Sequence, residues 1–183
     1  MFEDRAVTLH AARAALGAYE PTDPRERQFL SRMRQLLEHE RALSRDHFEP
    51  GHLTASAFVL SPEGDAVLLI FHKKLGIWVQ PGGHVEPGDA DLEQAARREV
   101  QEEVGLELEP AAARVFDVDI HAIPARKAEP AHEHFDVRFC FRARSRGYRV
   151  SDEVVDARWA ALGAMEQLTT DESVLRAVRK LSQ

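Results

Sequence analysis

The chain has 183 residues, 44% of them hydrophobic and 30% charged, with a formal net charge of −7. That is ordinary globular composition, long enough to bury a sizeable core in one domain or in one domain with an extension. The acidic balance is a poor match for duplex nucleic acid or an anionic membrane. It still permits a small anionic substrate, because a bound divalent cation reverses the local field.

The first fifty residues read as a helical extension, 1–50, ahead of a second region, 51–183, with the division at Pro50-Gly51. The segment Met1 to Leu16 carries Glu3 and Asp4 and does not read as a signal peptide. A short helix is expected from about Leu9 to Leu16. Asp23-Pro24-Arg25-Glu26 is a strong helix start, with an Asp cap and Pro at the first helical position. Phe29, Leu30, Met33, Leu36, Leu37 and Leu43 then recur at helical spacing. These helices are expected to pack on the main region or on a second copy, as a homodimer.

Thr54 to Leu60 and Ala66 to Phe71 are rich in strand formers, and Pro62-Glu63-Gly64-Asp65 between them is a turn. Lys73 and Lys74 read as a solvated hairpin end and Trp78 as core, the alternative being a lysine that meets a phosphate and a Trp78 ring that stacks on a base. Ile77-Trp78-Val79 is a short strand that stops at Pro81-Gly82-Gly83. Asp91-Leu92-Glu93-Gln94 has the form of a capping box, and its helix runs to about Val104 and ends at Gly105.

Beyond it, Val115 to Ile123 is expected as a strand and Ala125 to His132 as a polar loop. From His134 to Ala143 the residues alternate. Phe135, Val137, Phe139 and Phe141 form one face; His134, Asp136, Arg138 and Cys140 form the other, read as a solvated face with a substrate-facing alternative for His134 and Arg138. Val154 to Trp159 is a further strand, and Asp171 to Leu181 a final helix. Strands before and after an internal helix predict an α/β fold, a mixed sheet with helices on its faces.

The internal helix carries the chemistry. At about 100° per residue, Leu92, Ala96, Val100 and Val104 form a core stripe, and Glu99, Glu102 and Glu103 share an adjoining arc. Like charges three and four residues apart repel, more so beside an apolar stripe, unless they take up protons or a cation sits among them. Clustered oxygen ligands suit Mg²⁺ or Mn²⁺; the alternative is a solvated acidic face. Gly82-Gly83 lets backbone come close to a ligand, and His84, Glu86 and Asp89 add polar groups to that loop. His132 and His134, with His121, raise the idea of zinc, but no Cys accompanies them and no four-ligand set is visible. Cys140, the one thiol in the sequence, cannot form an intrachain disulfide and suits a reducing compartment.

This pattern resembles the Nudix signature. The family has Gly, five residues, Glu, seven residues, then Arg-Glu-apolar-x-Glu-Glu-x-Gly-apolar. Here Gly83 is followed by Asp89 in the Glu position, and Arg98-Glu99-Val100-Gln101-Glu102-Glu103-Val104-Gly105-Leu106 matches every fixed position of the second half. One extra residue lies between Asp89 and Arg98. The resemblance extends over roughly 130 residues, from Leu53 onward.

It implies an α/β/α sandwich and hydrolysis of a phosphoanhydride bond in a nucleoside diphosphate derivative, a pyrophosphatase activity using Mg²⁺, with Mn²⁺ as a substitute. It implies Glu99, Glu102 and Glu103 as metal ligands, Arg98 as the residue orienting a glutamate, and Glu103, then Glu153, as general base. Gly82, Gly83, His84 and Arg138 are the candidate substrate contacts. The partner expected is a small nucleotide derivative, with no duplex nucleic acid and no membrane, in the cytoplasm. The alternatives are an isopentenyl-diphosphate isomerase-like enzyme, which needs a reactive cysteine and a histidine-rich metal site, and a non-catalytic nucleotide-binding domain.

Overall fold

The structure, a computed structural model, describes residues 2–73, 75–126, 129–152 and 154–182, with side chains from residue 9 onward. In chain order the helices are α1 (Phe2–Gly17), α2 (Pro24–Leu36), α3 (Leu92–Val104) and α4 (Glu172–Leu181). The strands are β1 (Gly51–Leu60), β2 (Ala66–His72), β3 (Ile77–Val79), β4 (Gly82–His84), β5 (Val115–Ile123), β6 (His132–Arg142) and β7 (Ala157–Ala161). A 3₁₀ turn, Leu162–Gln167, precedes α4. No described helix is long and apolar enough to cross a membrane. The chain forms two compact units, and β1, α3 and β6 each continue from one into the other.

The first unit comprises Met1–Ser56, Gly83–Ala96 and Arg114–Phe139. Asp23 caps α2 by accepting a hydrogen bond from Arg25 N at 2.6 Å, as the start signal predicts. Leu9, Ala12 and Leu16 of α1 are buried, as are Leu30, Met33 and Leu36 of α2. The apolar stripe runs on to Leu43, but the helix stops at Leu36. There the backbone tightens into a turn, with Glu38 N on Gln35 O and His39 N on Leu36 O. Leu53 N then ties the segment down through Ala42 O at 2.8 Å.

In this unit β5 and β6 are antiparallel, with His121 opposite His134 and Asp119 opposite Asp136. β1 pairs with β6 and with β4. Glu133 N donates to Pro50 O at 2.9 Å, and a Cβ added at Gly51 would stand 1.8 Å from the Glu133 carbonyl oxygen. Only glycine permits so close an approach, and its φ of 155° is also one that other residues rarely adopt.

The second unit comprises Ala57–Gly82, Arg97–Ala113 and Cys140–Gln183. Here β2 is antiparallel to β1, β3 and β7. Ser61 Oγ closes the predicted turn, accepting from Asp65 N and Ala66 N at 3.2 Å each. Trp78 packs against Phe71 and lies under the Arg158 guanidinium, 4.0 Å from its ring centre, and is half-buried rather than part of the core. Lys74 lies outside the described residues.

Ala143 N donates to Leu60 O, joining residues as far apart in sequence as Glu133 and Pro50, so β1 and β6 run parallel. With the antiparallel pairs, the sheet is mixed, as expected. Three strand starts differ from expectation, the first being β1, which begins at Gly51 rather than Thr54. β6 starts at His132, and β7 starts at Ala157 because Val154 N turns back to Ser151 O at 3.2 Å. Gly82–His84 is a short strand where the sequence reads as a stop.

Candidate functional site

The carboxylate helix is anchored at both ends. At its start Asp91 Oδ1 accepts from Gln94 N at 2.8 Å, while Gln94 Oε1 accepts from Ala90 N at 2.6 Å. At its end Gly105 takes a φ of 58°, and Arg149 N and Ser151 N bond the carbonyls of Val104 and Glu103. Leu92, Ala96, Val100 and Val104 are buried, as the wheel predicts. Arg97 faces elsewhere: it donates to the Glu109 and Ala111 carbonyls and lies 4.2 Å from the centre of the Phe141 ring.

Arg98 differs from Arg97 in its partners. Its Nη1 donates to Glu99 Oε1 at 3.1 Å and to Glu102 Oε2 at 2.8 Å. The third glutamate, Glu103, accepts a hydrogen bond from Gly82 N at 3.0 Å through Oε2. Glu99 is half-buried, with its side chain 14% exposed, and Glu102 is 56% exposed. The repulsion expected of this cluster is therefore answered in part by a guanidinium and a backbone amide. The donor set itself, carboxylate oxygens on one helix face, fits a hard divalent ion.

Asp89, the departure from the signature, is buried in the loop before the helix. Its Oδ2 accepts from Glu86 N at 2.8 Å, and its own N donates to Glu86 O. It closes the Glu86–Asp89 turn. In the same unit as that turn is a cavity of about 650 Å³ lined by Arg45, Phe48, His84, Glu86, Pro87 and Glu129, among others. That volume suits a small-molecule ligand.

A second polar group lies on the sheet of the first unit. β1 presents His52, Thr54 and Ser56, β6 presents His132, His134, Asp136 and Arg138, and β5 presents Asp117, Asp119 and His121. Thr54 and Ser56 donate to the two oxygens of Asp136 at 3.1 and 2.7 Å. The Arg138 guanidinium meets Asp136 at 3.0 Å, Asp117 at 3.2 Å and Asp119 at 3.5 Å. This corrects the reading of that β6 face. It is buried rather than solvated, and Arg138, 2% exposed, is committed to three carboxylates rather than to a substrate. Those carboxylates hold its pKa above the ordinary value despite burial, which alone would lower it.

The histidines stand at the end of this polar face. The ring centres of His52 and His134 are 4.9 Å apart, those of His52 and His132 5.2 Å, and those of His84 and His52 5.1 Å. Burial depresses the pKa of His84 to about 4 and of His134 to about 2, with neighbouring histidines adding to it, and it also lowers His52. All three rings are neutral at pH 7.

Arg98, Glu99, Glu102, Glu103 and Gly82 lie in one unit, and His84 and His134 in the other. Gly83 lies in β4 beside His84. Glu153 lies outside the described residues. His52 was missed. The signal available was the alternation His52-Thr54-Ser56 inside a run of strand formers, which marks a polar face needing partners. Cys140 is half-buried, and burial raises its thiol pKa to about 11, so it is not a reactive nucleophile.

A family model described as "NUDIX domain" matches residues 50–181. The NAD-capped RNA hydrolase NudC of Stutzerimonas stutzeri (strain A1501) is 30% identical over 129 residues, covering 68% of this chain and 42% of that protein. The chain thus spans less than half the length of this curated relative. Among solved structures, the MutT NUDIX hydrolase from Burkholderia pseudomallei is 25% identical with a TM-score of 0.56, covering 70% of this chain and 95% of that one. A NUDIX-family hydrolase from Clostridium perfringens is also 25% identical, with a TM-score of 0.52 and coverages of 72% and 96%.

Proposed function

The chain belongs to the Nudix family, with its α/β/α fold, and from that premise we propose that it hydrolyses a phosphoanhydride bond in a nucleoside diphosphate derivative. The reading assigns Glu99, Glu102 and Glu103 as ligands of Mg²⁺, with Mn²⁺ as a substitute. The single observation that supports it most is the way α3 presents the signature residues. Arg98 spans Glu99 and Glu102, and Gly82 N holds Glu103.

The bound ion would screen the diphosphate and lower the pKa of an attacking water. The protein supplies position and proton transfer. Arg98 orients Glu99 and Glu102 through charge-assisted hydrogen bonds. Glu103, held by Gly82 N, acts as general base towards the water, with Glu153 as the second choice. Gly82 and Gly83 offer backbone to the phosphates without side-chain hindrance. His84 is assigned as a further substrate contact. The inert thiol of Cys140 weighs against an isomerase that relies on a cysteine.

The relative named NAD-capped RNA hydrolase puts NAD-capped RNA first among substrates to try. Nucleoside triphosphates, nucleoside diphosphate sugars and dinucleoside polyphosphates complete the panel. The purified chain is assayed on each with Mg²⁺ and with chelator, followed by Glu103→Gln on the best substrate. Mg²⁺-dependent turnover that Glu103→Gln abolishes supports the reading. Turnover unchanged by that substitution, or no cleavage of any diphosphate, overturns it.

A further inference from the structure

The histidines at the end of the buried polar face are not used by the proposed hydrolysis, apart from His84 at the cavity. His52 is 1% exposed, and its Nε2 is buried without a hydrogen-bond partner. Its other nitrogen, Nδ1, lies 3.0 Å from the His47 carbonyl oxygen. A carbonyl only accepts, so Nδ1 carries the proton and Nε2 carries a lone pair. The same reasoning applies to His132, whose Nδ1 lies 2.9 Å from the Pro130 carbonyl oxygen. Two backbone carbonyls thus fix two imidazoles in the tautomer that turns a bare Nε2 away from the backbone. Metal-bound histidines are oriented by the same kind of bond.

His134 brings a third ring, centred 5.2 Å from that of His132. One nitrogen from each of His52, His132 and His134 lies within 4.8 Å of the other two, and this is the group of three potential ligands found at such spacing among the described residues. The bare Nε2 of His52, buried without a partner, leaves its desolvation uncompensated. A cation held by the three nitrogens, at the ordinary zinc–imidazole distance of about 2.0–2.1 Å, removes that cost. The support is rigid. His52 and His134 continue the same strand faces as Thr54 and Asp136, which are bonded to each other.

We propose that His52, His132 and His134 form a binding site for a divalent late first-row transition ion of the Zn²⁺ type, made of residues entirely separate from the carboxylate helix. Imidazole nitrogens select such an ion over Mg²⁺, which takes oxygen ligands. Three protein ligands leave a fourth position. His84, beside both His52 and His134, borders it.

The test uses the purified chain, stripped by chelator and titrated with Co²⁺ and then Zn²⁺. The expected result is one equivalent of Co²⁺ with the intense visible bands of a four- or five-coordinate ion, displaced by Zn²⁺ and not by excess Mg²⁺. Glu103→Gln retains this signal. His134→Ala and His132→Ala each weaken binding by at least about 100-fold. Absence of a bound equivalent, a weak six-coordinate spectrum, or a signal lost in Glu103→Gln but kept in the histidine variants overturns the proposal. Should a histidine variant fail to fold, the wild-type Co²⁺ spectrum and its response to Mg²⁺ decide alone. Failure here leaves the hydrolase reading intact, because no glutamate assignment depends on it.

Discussion

The carboxylate helix and the polar face of β1, β5 and β6 are both built from clustered charged or titratable groups, and they handle the cost of clustering in opposite ways. On α3 the charges range from 14% exposed at Glu99 to 56% at Glu102, and a single guanidinium spans these two. On the strands the charges are buried, and nearly every oxygen contact is specified: Arg138 faces three aspartates, and two hydroxyls donate to Asp136. The first arrangement keeps carboxylates reachable by a cation and a substrate. The second gives up reach for rigidity. Partial compensation therefore marks where ligands are expected, and the histidine end of the buried face is the place where that face, too, is incompletely compensated.

If this contrast is right, the two regions respond differently to loss of one charged group. Glu103→Gln keeps the shape and a hydrogen-bonding oxygen for Gly82 N, so the fold should hold while turnover falls by about 10²–10⁴-fold, the range for loss of a general base. Steady-state kinetics beside a thermal melt reads both. Arg138→Met should do the reverse. It leaves Asp117, Asp119 and Asp136 buried without their cation, and breaking such a pair costs about 3–5 kcal/mol. Urea unfolding measures this. A stability loss below about 1 kcal/mol would mean that water reaches the aspartates and that the face is not the rigid support argued above.

The two regions were also unequally legible. The signature of α3 is local: Arg98 to Leu106 is one continuous stretch, its carboxylates fall on one arc by helix geometry alone, and its caps, Asp91 and Gly105, stand at its ends. The same locality made Asp23 and the limits of β5 readable. The histidine group joins positions 52, 84, 132 and 134, and nothing local dictates that β1 should lie parallel to β6. Alternation on β6 was visible, but whether its polar side meets water or another strand's polar side depends on that register. The polar loop expected up to His132 failed for the same reason: the strand begins there because Pro50 supplies an acceptor for Glu133 N.

Register can itself be tested. Gly51→Ala drives a methyl against the Glu133 carbonyl at the point where β1 meets β6. The backbone must shift, at a cost of about 1–3 kcal/mol typical of overpacking. A shift there moves His52 relative to His132 and His134. Co²⁺ affinity should therefore fall with stability, whereas Mg²⁺ titration of the carboxylates should change little. Equal loss of both would show that the substitution unfolds the chain generally and would remove the distinction between the regions.

The smallest effect expected is at Asp91. The signature departs from its usual spacing by one residue just before this cap, so the helix start must absorb the change. Asp91→Ala removes the acceptor for Gln94 N and should cost about 1 kcal/mol in urea unfolding. Leu92, Ala96, Val100 and Val104 remain buried along one stripe, and a turn of the helix about its axis would expose them. Gly105, Arg149 and Ser151 hold the far end. The register of Glu99, Glu102 and Glu103 is therefore set by the stripe and the C-terminal end, and kcat should stay within about threefold of wild type, less than 1 kcal/mol in barrier. A larger fall in kcat at unchanged fold would show that the cap, rather than the core stripe, sets where the carboxylates stand, and that the inserted residue matters to the chemistry after all.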